Sequence, residues 1–117
     1  MSDGDHGSRG EAAAAVSNAM ARFHREYYGR GATTVRTIFD RNVVVAILED
    51  IYTPAERTLI DANEEDAVRQ TRLAFQRAMK ERFSEAVEQA TGRKVRGFLS
   101  QISFNPDLAT EIFILEE

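Results

Sequence analysis

The chain has 117 residues, 43% apolar and 29% charged, and its 15 basic and 19 acidic side chains give a formal net charge of -4. That length supports one core rather than two, the composition is that of a globular protein, and the acidic excess argues against a general nucleic-acid binder. The absence of cysteine excludes disulfides, thiolate metal sites and cysteine nucleophiles, and fits a cytoplasmic setting.

Residues 1 to 10 are rich in Gly, Ser and charge and carry no large apolar side chain after Met1, so a disordered tail is expected there. The domain proper is expected over residues 11 to 117. From about Glu11, an alanine run followed by Val16, Met20, Phe23 and Tyr27 traces one stripe of a helix, which Gly29 should end. His24 lies beside that stripe and is expected at its solvated rim. Thr33 to Asp40 and Asn42 to Asp50 are β-rich and separated by a turn, so they should form an antiparallel hairpin.

Thr53-Pro54-Ala55-Glu56 carries the residues of a capping box with proline at the first helical position, opening a short helix to about Ala62. Asn63 should start a long helix spanning about 64 to 91, with Val68, Phe75, Met79, Phe83, Val87 and Ala90 buried and Gly92 at its end. Val95 to Phe104 and Thr110 to Leu115 read as strands joined at Asn105-Pro106-Asp107. The expected architecture is therefore α+β, in the order α-ββ-αα-ββ, with a four-stranded, largely antiparallel sheet packed with helices. Val43 to Leu48 and Ile112 to Leu115 are apolar at every position, so both faces of those strands call for cover, from helices on both sides or from a second copy of the chain.

No catalytic constellation is present. The two histidines, His6 and His24, have no partner set for acid–base chemistry or metal binding, and most carboxylates sit at helix starts or on solvated helix faces, while Asp40, Glu49 and Asp50 bracket the first hairpin without forming a metal-site motif. No metal site and no cofactor are expected. The most suggestive polar element is the loop Gly29, Arg30, Gly31, Ala32, Thr33 and Thr34 leading to Arg36, where backbone N–H groups and guanidinium forks can hold an anion or a partner. It lacks the lysine and glycine spacing of a nucleotide-binding fingerprint. No apolar run approaches the roughly 20 residues of a membrane-spanning helix.

Tyr27-Tyr28-Gly29-Arg30-Gly31 before a strand, Thr53 to Arg57 opening the helices, Thr91 to Val95 leaving them, and Ser100 to Ser103 in the third strand together resemble the MpsC-like family, from about Ala12 to Glu116. Ala32 stands where that pattern often has proline, and Gln101 where it often has aspartate. The resemblance implies a link to a sodium-translocating, membrane-potential-generating system. Two readings follow: a non-enzymatic accessory protein, homodimeric and docking peripherally to a membrane ion-transport complex, or a small-ligand or anion-binding regulatory domain built on the Gly29 to Thr34 loop.

Overall fold

The computed structural model describes the backbone of residues 2–32 and 34–117 and the side chains of residues 9–32 and 34–117. The elements are α1 (Ser2–Tyr28), β1 (Thr34–Asp40), β2 (Val43–Glu49), α2 (Pro54–Asp61), α3 (Glu65–Thr91), β3 (Val95–Ser103) and β4 (Leu108–Leu115). This is the expected α+β order. Residues 2–10, expected as a tail, instead extend α1. Propagating a helix from an alanine-rich stretch avoids the cost of a new nucleus, and Arg9 lies 5.8 Å from the centre of the Phe39 ring.

Helix boundaries follow local chemistry. Gly29, at φ 76°, and Gly92, at φ 72°, close α1 and α3 in the left-handed conformation that glycine adopts without strain. The capping box is formed in both directions: the Glu56 N–H donates to Thr53 Oγ1 at 3.1 Å, and the Thr53 N–H donates to Glu56 Oε1 at 2.9 Å. Asn63 does not open α3 as expected. It sits at φ 62° and donates its N–H to the Ile60 carbonyl, closing α2, while Glu64 takes the N-cap position without a side-chain bond.

The sheet order is β1-β2-β4-β3 with every pair antiparallel. On one face lie Val44, Ala46 and Leu48 of β2, Ala109, Phe113 and Leu115 of β4, and Phe98 and Ile102 of β3. They form a core with Val16 and Met20 of α1 and Val68, Met79, Phe83 and Val87 of α3. The buried stripes are rotated from those expected. On α1 the ridge runs through Val16, Met20 and His24, leaving Tyr27 50% exposed; on α3 it passes through Arg72 and Gln76, with Phe75 and Ala90 only partly buried.

His24 is buried, not at the rim: its ring packs against Tyr28, Phe75 and Phe83 while its Nδ1 lies 2.8 Å from the Met20 carbonyl. An aromatic ring with one satisfied polar atom serves as core.

Arg72 is the largest fully buried side chain. Its guanidinium donates to both oxygens of Glu56, at 2.7 and 2.5 Å, and to the Ile51 carbonyl at 3.0 Å, and it lies 3.7 Å from the Tyr28 ring centre. Glu56 thus caps α2 and neutralises Arg72 with the same carboxylate. Burial acts to raise its pKa, but the hydrogen bonds from Arg72 and the Thr53 N–H outweigh that and hold it below the ordinary glutamate value.

Because these two roles are separable by mutation, Thr53→Ala is expected to lower unfolding free energy by about 1 kcal/mol, the worth of a cap. Glu56→Ala should cost roughly 3 to 5 kcal/mol, since it strands a buried guanidinium. Urea denaturation of both variants checks the ranking; equal losses would mean that Arg72 does not depend on Glu56.

Candidate functional site

Strand periodicity sends alternate residues away from the helices, and among the described residues no helix covers that outer face. In register across all four strands lie Ile38, Val45, Ile112 and Leu99. This row is wholly apolar, with Ile38 46% and Leu99 57% exposed. Beside it, Arg36, Ile47, Thr110 and Gln101 form one neighbouring row, and Asp40, Val43, Ile114 and Gly97 the other. Of the two ways to cover the apolar strands, helices therefore supply only one face.

Arg36 and Asp40 flank Ile38 on β1 and belong to no ion pair among the described residues. Their Cα atoms are about 13 Å apart on an extended strand. The face thus has an apolar middle with Arg36 and Asp40 placed symmetrically about it on β1.

The loop singled out in the sequence is deployed differently. Arg30 donates to the Tyr52 carbonyl at 2.6 Å and to Asp50 at 3.1 Å, tying the end of α1 to the β2–α2 connection. Thr34 Oγ1 donates to Glu49 at 3.1 Å, and Gly31 packs beside Arg25. Arg36 lies on the outer sheet face, and Thr33 falls outside the described residues. Gly29 serves the helix cap. Among the described residues of this set, Arg30 and Thr34 are bonded within the fold and Arg36 stands apart from them on the sheet.

Arg57 continues the same strapping, pairing with Asp50 and donating to Asp107 Oδ2 at 2.9 Å, while Asp107 Oδ1 accepts from the Ile51 N–H at 2.8 Å. Arg93 is similarly occupied with the Glu116 and Arg41 carbonyls. Among the described residues no group of three His, Asp or Glu side chains is placed to hold a metal ion, and no helix is long and apolar enough to cross a membrane.

One feature was missed in the sequence. Glu111 of β4 points into the core, fully buried, and neither carboxylate oxygen has a hydrogen-bond partner. Its cross-strand neighbours are Ala46 and Ser100. Burial pushes its pKa up to about 8, against the opposing pull of the nearby Ser100 hydroxyl, which does not reach hydrogen-bond geometry, and of the Arg72 charge. The signal available in sequence was Glu111 falling in phase with Ala109, Phe113 and Leu115 on an otherwise apolar strand face.

A family model described as Na+-translocating membrane potential-generating system (MpsC) matches residues 8–117. An uncharacterized protein of Bacillus subtilis (strain 168), YbcI, is 28% identical over 97 residues, covering 82% of this chain and 78% of that protein. No solved structure matches the chain.

The shifted groups make a pH prediction. A raised Glu111 pKa means that the folded state keeps a proton the unfolded state releases between about 4.5 and about 8, so this group makes stability fall as pH rises through that window. Burial lowers His24 to about 4, which acts in the opposite sense below 6.5. Between pH 6.5 and 8, Glu111 is thus isolated from His24, and wild-type stability should decline by roughly 1 kcal/mol per pH unit. Glu111→Gln should flatten that decline in denaturation curves; an unchanged slope would mean that Glu111 titrates normally.

Proposed function

The chain belongs to the MpsC family, and from that premise we propose that it is a non-enzymatic accessory protein, working by contact as a homodimer closed through the outer sheet face. The observation that carries this is the uncovered row of Ile38, Val45, Ile112 and Leu99 with unpaired Arg36 and Asp40 on either side. A two-fold axis running along that row lays β1 over β1 of the second copy in the reverse direction. Arg36 of each copy then faces Asp40 of the other, while the apolar rows meet. This is the self-complementarity an isologous contact requires.

Size sets the strength. Four strands of seven or more residues present a face of roughly 20 by 23 Å. That is at the low end for protein interfaces, so dissociation in the micromolar range is expected rather than an obligate dimer. The link to a membrane-potential-generating system is supported by the family description alone. With no spanning helix among the described residues, the reading places the protein at the cytoplasmic periphery of such a system.

Sedimentation velocity over a micromolar concentration series tests the dimer. The wild type should pass from monomer to dimer, and Ile38→Asp with Leu99→Asp, both at exposed positions, should remain monomeric at every concentration. Arg36→Asp should weaken association, and adding Asp40→Arg should restore it, because the pairing is rebuilt with its charges exchanged. A wild type that stays monomeric into the hundred-micromolar range, or a double swap no better than the single one, refutes this arrangement.

A further inference from the structure

Beneath α3, on the face opposite the proposed dimer contact, lie polar groups the fold leaves unpaired. Gln76 Oε1, Ser100 Oγ, the Tyr28 hydroxyl and both Glu111 oxygens are buried without hydrogen-bond partners. Leaving one such group dry costs on the order of 1 to 3 kcal/mol, so cores normally supply a partner, a water or a ligand. Ser100 faces Glu111 across the β3–β4 ladder. Ser100 and Gln76 also line a cavity of about 240 Å³ between α3 and β3, whose other walls are Leu73 and Phe98, which are apolar, and Arg77 and Lys80, which are cationic.

We propose that this cavity is a binding site for a small organic carboxylate, its apolar body against Leu73 and Phe98 and its head group among Ser100, Gln76, Arg77 and Lys80. Charge selects the class. Two cations and no carboxylate line the cavity, and Arg72 stands close enough to Glu111 to act on its titration, so a cation is repelled. A wholly apolar guest would leave Ser100 and Gln76 unpaired. A carboxylate meets both demands, accepting from the Ser100 hydroxyl and, after a half-turn of the amide, from Gln76 Nε2, with charge-assisted bonds from Lys80 and Arg77. Glu111, across the ladder from Ser100 and with its pKa raised by burial, stands behind that wall as a neutral group rather than a competing anion. The volume suits an aromatic ring or short chain and excludes a nucleotide-sized ligand.

The test is titration of the full chain with benzoate and, separately, with the uncharged isostere benzamide, followed by calorimetry and by amide resonance shifts. Benzoate should bind saturably and move the resonances of Gln76, Ser100 and Lys80, with benzamide at least tenfold weaker. Lys80→Ala, at an exposed position, and Ser100→Ala should each weaken benzoate about tenfold, the worth of one bond to a charged group. Benzamide equal to benzoate, shifts confined to other residues, no saturable binding, or full affinity in both variants would overturn the proposal. None of these outcomes bears on the outer sheet face, so the dimer stands or falls separately.

Discussion

The pairing of Arg72 with Glu56 is the constraint around which the helical layer is arranged. A guanidinium on the buried ridge of a long helix has to be both neutralised and hydrogen-bonded, because an unpaired charge in the core costs several kcal/mol. The molecule meets that demand with a helix cap, a loop carbonyl and two aromatic faces: Glu56 and Ile51 accept its N–H groups, while Tyr28 and Tyr52 flank its plane. Four segments, α1, the β2–α2 connection, α2 and α3, converge on one side chain. Arginine suits the place better than lysine, since only the planar fork can bond Glu56 at two points and still stack on a ring.

The same end of the sheet is secured a second time from outside. Arg30 and Arg57 grip Asp50 and Asp107 and hold the β2–α2 connection against the β3–β4 turn. Asp50 adopts φ 58° there, and its N–H is taken by the Asp107 carbonyl. These outer pairs are partly solvated and individually weak. Their effect is geometric, because they fix the approach of Ile51 and Tyr52 to the core, from which the Tyr52 hydroxyl reaches the Ser103 carbonyl at 2.8 Å. In the sequence Arg30 was visible in its glycine-hinged loop, but its partners Tyr52 and Asp50, some 20 residues distant, were not.

What the sequence made legible was local. Apart from the start of α1, the helix ends, the capping box, the hairpin and the four strands follow from propensities acting over a few residues, and they emerge within a few residues of the expected positions. The errors came where tertiary partners override a local rule. His24, Arg72, Gln76 and Glu111 are polar residues on buried ridges, and a reading that assigns apolar residues to the core must shift its stripe to avoid them. On α1 that moved the stripe from His24 to Tyr27; on α3 it skipped from Val68 to Phe75. The family resemblance was readable because it rests on the order of short motifs, whereas the contacts that give those motifs their roles span the chain.

The alternation of β4 places the buried carboxylate and the outer apolar row on one strand. Thr110, Ile112 and Ile114 face outward and Ala109, Glu111, Phe113 and Leu115 face inward, so a carboxylate in the core and an apolar row on the surface are consecutive residues of one central strand. A sheet covered on one side needs only every second residue to be apolar. On β4 the outward Ile112 and Ile114 are apolar as well, while the inward Glu111 is a charged residue. Had selection acted on the stability of an isolated monomer, the reverse pattern would be favoured, with solvating side chains at 45, 99 and 112 and a valine or leucine at 111, since each exchange removes either an exposed apolar patch or an unpaired buried group. Both departures from that pattern lie within paired strands, where register leaves no freedom to hide them. The proposed contact face on one side and the proposed binding recess on the other would account for them together; core packing accounts for neither.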